Sequence, residues 1–196
     1  MKVLMITTSY PTECNPTRGV FVYYLVNNLI RRGIDVNVLT LNSYKSVSGG
    51  AGILPSLGSS FMSLLLFPVY WLHFYFKIIL NARKYDLIHS NWGPTGFFSL
   101  LAKPFHRKKI ILTERSSQLI FMKNKFFRFL LRHAYHNVDK LVVLSNFSRS
   151  EIANRYGGVK STVIPNGVES SKVSKRLDRI KLKKKFGVPL DVKIVI

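Results

Sequence analysis

Hydrophobic and polar positions alternate along this chain in two periods, and the switching between them lays out the fold. "KVLMITT" (2–8) is a short apolar run of strand length that ends in small polar residues. "SYPTECNPTRG" (9–19), with its two prolines and one glycine, reads as a loop. In "VFVYYLVNNLIRR" (20–32) Val22, Leu25, Val26, Leu29 and Ile30 fall on one helical face, and Gly33 follows as a C-cap. "IDVNVLT" (34–40) alternates and is β-branched, so it predicts a strand. Strand, helix and strand in forty residues predict a parallel pair with a right-handed crossover.

The alternation recurs. Strands are expected at 85–92, 108–115, 139–145 and 161–167, the last stopped by Pro165. Helices are expected at 95–103, 123–137 and 148–158, with Ser148 and Glu151 spaced like a capping box. This predicts an α/β fold built on a Rossmann-like, doubly wound parallel sheet. No internal repeat goes beyond that alternation.

Two stretches stand apart. No charged side chain occurs between Lys45 and Lys77; the segment begins Gly/Ser-rich and turns strongly apolar over 61–80. That length approaches a bilayer span, but Pro68, His73 and Lys77 interrupt it, so one or two core-packed helices in reach of a membrane are expected, with a true span as the lesser alternative. The second stretch, 172–185, carries eight basic residues and one acid and reads as a connector. After it, Val192–Ile196 reads as the opening of a further strand.

The totals add chemistry. The formal charge is +21, and it is lopsided: residues 1–100 hold 8 Lys/Arg against 3 Asp/Glu, and 101–196 hold 22 against 6. Such an excess suits polyanions. Nucleic acid is disfavoured, because no helix-turn-helix, zinc-finger or RNP-type motif accompanies the charge. Two readings stay open for "KNKFFRFLLRHAYHN" (123–137), where Lys123, Lys125, Arg128 and Arg132 interleave with phenylalanines and leucines. One is an interfacial helix on an anionic membrane; the other is a plain solvated face of a core helix. The single cysteine, Cys14, excludes an internal disulfide framework and fits a reducing, cytoplasmic setting. No signal-peptide pattern opens the chain, and the histidines and cysteine lack metal-ligand spacing, so no metal is expected.

Ligands of open parallel sheets bind beyond the carboxyl ends of the strands. Those ends gather Arg18 and Gly19, then His89, Asn91 and Trp92, then Glu114, Arg115 and Ser116, then Asn146, and finally Asn166 and Gly167. Gly19 either lets backbone amides approach a phosphate or is a simple turn glycine. His89 either serves as a catalytic or ligand-contacting group or hydrogen-bonds within a loop, and Glu114 and Arg115 either touch substrate or pair with neighbours. The G-x-G-x-x-G and G-x-x-x-x-G-K-[ST] fingerprints are absent, which disfavours a nicotinamide enzyme and a P-loop NTPase.

Taken in order, "VLMITTSYP…RGVFVYYLVNNLIRRGIDVNVLT", "YDLIHSNW", "ILTERSS", "VDKLVVLSNFSRSEIANRYG" and "VIPNGVES" resemble the N-terminal domain of family 4 glycosyltransferases. These are retaining enzymes with two Rossmann-like domains, the GT-B fold. The resemblance implies an acceptor-side domain over 1–170, a basic connector over 171–191, and the first strand of a donor-binding domain at 192–196. It implies transfer of a sugar from a nucleotide-sugar donor to a saccharide or lipid-linked acceptor, with no separate cofactor. It places Gly19 near the donor diphosphate and Asn166 and Gly167 at the interdomain cleft. Arg115 and Asn91 stand where many relatives carry histidines. The family's second domain bears an E-x₇-E pair, whereas Glu13, Glu114, Glu151 and Glu169 include no two at that spacing. The chain alone is therefore expected to be inactive, with 185–196 loosely held, and to sit in the cytoplasm or peripherally on the inner face of a membrane. The alternative reading is a noncatalytic basic α/β module that binds anionic membrane or nucleic acid.

Overall fold

The computed structural model describes residues 1–40, 61–115, 125–167, 183–189 and 191–192, with side chains from 68 onward in the second of these segments. The chain divides into two compact units, Met1–Pro165 and Asn166–Ile196.

The first unit is built on six parallel strands: β1 (Lys2–Thr7), β2 (Asp35–Thr40), β3 (Leu87–Asn91), β4 (Lys109–Glu114), β5 (Lys140–Val143) and β6 (Thr162–Val163). Their order is β2-β1-β3-β4-β5-β6. The helices are α1 (Val20–Arg31), α2 (Phe61–Ala82), α3 (Gly93–Leu101), α4 (Lys103–His106), α5 (Lys125–Asn137) and α6 (Asn146–Tyr156). The doubly wound α/β expectation holds. The chain winds outward from β1 to β2, then crosses back and proceeds through β3 to β6. The reversal falls between β1 and β3, where an open sheet leaves a crevice at its carboxyl edge.

Two cores follow from that winding. Val22 and Val26 of α1 bury Met5 on one face of the sheet, with Val36 and Val38 alongside. On the other face Leu4, Ile6, Ile88, Ile110, Leu112 and Val143 pack against α2, α3, α5 and α6. β1 is buried at every position but its first, as expected of a parallel strand covered on both sides.

The apolar stretch at 61–80 forms one helix that runs through Pro68 to Ala82. Trp71, Phe74, Ile78 and Ala82, spaced three and four apart, bury against the sheet. Phe74 and Ile78 are fully enclosed, and each such burial contributes roughly 1.5–3 kcal/mol. Trp71 also stacks on Phe98 of α3 at 4.5 Å between centroids. The opposite face exposes Val69, Leu72, Phe76 and Leu80. No described helix is long and apolar enough to cross a membrane.

Three boundaries differ from expectation. The 161–167 strand shrinks to Thr162–Val163, because after the Ile164 N–H bonds Val143 the proline ends the ladder. α6 starts at Asn146, two residues early. Its cap is Ser145, whose Oγ accepts from the Ser148 amide at 3.1 Å, while Glu151 pairs with Arg155 at 2.7 Å instead of closing a capping box. α4 has no counterpart among the elements expected from sequence. In the second unit, Lys183–Lys185 make a helical turn and the Lys183 ammonium reaches the Val192 carbonyl at 2.6 Å. Val192 is not in a strand, and 193–196 lie outside the described residues.

Candidate functional site

The carboxyl edge between β1 and β3 is assembled from three loops. The first leaves β1 at Thr7, whose Oγ1 accepts from the Ser9 amide and donates to the Ser9 carbonyl. This tight turn carries the chain back against Gly19, which precedes α1 with φ 64°. A Cβ on Gly19 would stand 2.3 Å from the Ser9 carbonyl oxygen. Glycine is required here by contact with the chain's own backbone as well as by the left-handed conformation. Arg18 Nε donates to Ser9 Oγ at 3.4 Å, so Arg18 braces the same turn. The loop therefore sets the amino end of α1 at the crevice, where the Val22 and Tyr23 amides bond the Gly19 carbonyl and the positive end of the helix dipole favours an anion.

The second loop follows β3. Asn91 is buried; its Nδ2 donates to Met5 Sδ and its Oδ1 accepts from Arg115 Nη2 at 3.2 Å. Trp92 holds φ 87°, a conformation that bulky side chains seldom adopt. It is fixed there by its amide, which bonds the Thr113 carbonyl at 2.9 Å, and by its carbonyl, which accepts from Thr95 Oγ1 at 2.7 Å. A polar rail continues through Thr95, Ser99 and Ser90 and ties α3 to β3.

The third loop follows β4. His89 Nε2 and Thr113 Oγ1 share a hydrogen bond of 2.8 Å. Burial first, and the Arg115 cation second, push the His89 pKa down to about 4, so the imidazole is neutral at physiological pH. Glu114 is buried and accepts from Tyr135 Oη at 2.7 Å, with the Arg115 and Gly93 amides as further donors. Burial outweighs those bonds and raises its pKa to about 8. A carboxyl held neutral beside a crevice can donate as well as accept a hydrogen bond. Its bond to the Gly93 amide also anchors the first turn of α3.

The structure thus joins Asn91, Trp92, Glu114 and Arg115 into one network, places His89 beside it, and sets Arg18 and Gly19 on the neighbouring loop. Asn146 is exposed in the first turn of α6. Asn166 and Gly167 are exposed and belong to the second unit. Ser116 and Lys123 lie outside the described residues. Lys125, Arg128 and Arg132 are exposed on α5, beside Phe126 and Phe129, which are 64% and 66% exposed; Leu130, Leu131, Ala134 and Tyr135 form its buried face. Sequence reading missed Tyr135, which is 21 residues from the carboxyl it holds and is camouflaged as one more apolar position of α5.

A parallel doubly wound domain with polar loops at its switch point is the class shared by nucleotide-utilising α/β enzymes. The profile of Glycosyltransferase Family 4 matches residues 19–172, and the chain belongs to that family. An uncharacterized glycosyltransferase of Methanocaldococcus jannaschii is 29% identical over 175 residues, covering 86% of this chain and 47% of that protein. The putative teichuronic acid biosynthesis glycosyltransferase TuaC of Bacillus subtilis is 22% identical over 231 residues, covering 100% of this chain and 57% of the relative. Among solved structures, HepE of Anabaena in complex with UDP aligns at a TM-score of 0.59 and 17% identity, over 95% of this chain and 50% of that one. Sucrose-phosphate synthase of Thermosynechococcus elongatus aligns at 0.62 and 15%, over 97% and 53%. The fold is that of the N-terminal half of GT-B glycosyltransferases. The chain spans about half the length of the relatives it matches. Membership does not favour the noncatalytic basic module.

Proposed function

We propose that this chain forms the acceptor-side wall of a retaining glycosyltransferase that moves a sugar from a nucleotide-sugar donor to a saccharide or lipid-linked acceptor. The observation that carries the reading is the convergence of the Ser9–Gly19, Asn91–Gly93 and Thr113–Arg115 loops at the switch point of the sheet. In this reading Gly19 and the amino end of α1 face the donor diphosphate, and Arg115, held by Asn91, supplies the cation nearest the transferred sugar. Neutral His89 and neutral Glu114 act as hydrogen-bonding groups and do not compete with that cation for charge. Most of the donor's contacts come from a partner Rossmann-like domain bearing the E-x₇-E pair, and no metal or separate cofactor takes part. Support for the donor class comes from HepE, whose structures hold UDP and UDP-glucose. The exposed phenylalanines and cations of α5 suit a peripheral seat on the inner face of a membrane, where a lipid-linked acceptor would be reached.

Titration of the isotopically labelled chain with UDP-glucose, followed by amide NMR, tests this. Weak binding of about millimolar Kd, with shifts at Arg18, Gly19, Asn91, Trp92 and Arg115, is the expected result. Micromolar binding, or shifts only elsewhere, would place the donor differently.

A further inference from the structure

A second concave feature lies between α5 and α6. It is a pocket of about 340 Å³ lined by Lys125, Arg128, Phe129, Arg132, Arg155 and Tyr156. None of these residues takes part in the hydrogen bonds that join Asn91 to Arg115, His89 to Thr113 and Glu114 to Tyr135. Binding here can therefore be tested apart from sugar transfer, although α5 also carries the membrane seat of the reading above.

Three observations converge on it. Lys125, Arg128 and Arg132 follow one another at three- and four-residue spacing along a single face of α5, an arrangement in which like charges repel. Among the described residues no carboxylate lines the pocket. Glu151 takes up Arg155 at 2.7 Å, and the other three cations form no ion pair among the described residues. Tyr156 lines the pocket and is 2% exposed; its hydroxyl is enclosed, has no hydrogen-bond partner among the described residues, and lies within electrostatic reach of Glu114, Arg128 and Arg155. A buried hydroxyl left unpaired costs free energy and calls for an acceptor. Phe129, 66% exposed, and the Tyr156 ring make the remaining walls apolar.

Cations, an unpaired hydroxyl beside them and aromatic walls suit an anion with an apolar body. Guanidinium groups match the oxygens of a phosphate better than any other common anion apart from a carboxylate, and the pocket falls within the size range of small-ligand sites. We infer that the α5–α6 pocket binds a phosphate ester carried on an aliphatic chain, with Arg128 and Arg132 on the phosphate, Tyr156 Oη donating to it, and Phe129 along the chain. This differs from diffuse attraction of α5 to a charged surface, because it depends on one neutral hydroxyl.

Calorimetric titration of the full chain with octyl phosphate below its micellar concentration tests the assignment, with inorganic phosphate and octyl glucoside as partial ligands. Octyl phosphate is expected to bind once per chain, and each partial ligand at least roughly tenfold more weakly. The double variant Arg128→Ala, Arg132→Ala should lose roughly tenfold or more, and Tyr156→Phe about threefold or more, with unfolding midpoints retained. Arg149→Ala, an exposed α6 cation outside the pocket, should bind as the parent does. Inorganic phosphate binding as tightly as octyl phosphate would reduce the site to one for the free ion and overturn the inference. So would unchanged affinity in the double variant or in Tyr156→Phe, or an equal loss in Arg149→Ala.

Discussion

Tyr135 Oη lies 2.7 Å from Glu114 Oε2, and both side chains are buried. The pair connects the end of β4 to the inner face of α5, and through the Gly93 amide it reaches α3. One carboxyl thereby ties three elements together directly beneath the crevice. Because that carboxyl is protonated at neutral pH, Glu114→Gln should change stability by less than about 1 kcal/mol, as an isosteric exchange of neutral groups. Tyr135→Phe, which strips a buried acceptor of its donor, should cost about 1–3 kcal/mol. Urea unfolding at pH 7 measures both; a larger loss in the glutamine variant would mean that Glu114 is ionised.

The same carboxyl sets the pH dependence of stability. Its folded pKa of about 8 stands above the ordinary 4.5, so between those values the folded state holds a proton that the unfolded chain gives up. Stability from this group is complete below pH 4.5 and is lost as pH rises toward 8, by at most about 1.4 kcal/mol per pH unit. His89 acts in the opposite sense: its folded pKa of about 4 lies below 6.5, so its contribution is complete above 6.5 and is lost as pH falls toward 4. The two oppose each other between 4.5 and 6.5, and a net decline is expected from 6.5 to 8. Unfolding measured across that range should show the decline in the parent and not in Glu114→Gln.

Gly19 and Gly33 separate two costs. Both hold positive φ, 64° and 79°, but a Cβ on Gly33 meets nothing within 4 Å, whereas one on Gly19 meets the Ser9 carbonyl at 2.3 Å. Gly33→Ala should therefore cost about 1–2 kcal/mol, the conformational term alone. Gly19→Ala should cost more than that and shift the amide resonances of Ser9 and Tyr10. Equal losses in the two variants would show that the β1 turn yields freely.

The cap of α6 gives a simpler check. Ser145→Ala should cost about 1 kcal/mol, and Ser148→Ala markedly less, since Ser145 Oγ accepts the orphan amide. Equal losses would restore the capping box that the Ser148–Glu151 spacing suggests.

The fold was legible because its information is local. A buried parallel strand such as Lys2–Thr7 writes itself as an unbroken apolar run, and α1 as a three-four stripe ending at Gly33. The strand-end residues were legible by the same rule, since polar residues that follow apolar runs mark the carboxyl edge. Pairing at a distance leaves no such local trace. Nothing near Tyr135 signals a carboxyl 21 positions away, and nothing near Asn91 signals Arg115, 24 positions on. The Ser148–Glu151 spacing misled because Glu151 found a stronger partner in Arg155, a cation one helical turn ahead. Gly19 could not be resolved by sequence between a phosphate approach and a turn, because the atom that decides, the Ser9 carbonyl oxygen, is brought to it only by the fold.

Sugar transfer itself tests the central claim, that this chain supplies one wall of a two-walled transferase cleft. The purified 196-residue chain is incubated with radiolabelled nucleotide sugars and with saccharide and lipid-linked acceptors, alone and joined to a family 4 donor domain bearing the E-x₇-E pair. The expected result is no labelled product from the chain alone, product from the joined protein, and loss of that product in its Arg115→Ala variant. Labelled product made by the chain unaided would contradict the account.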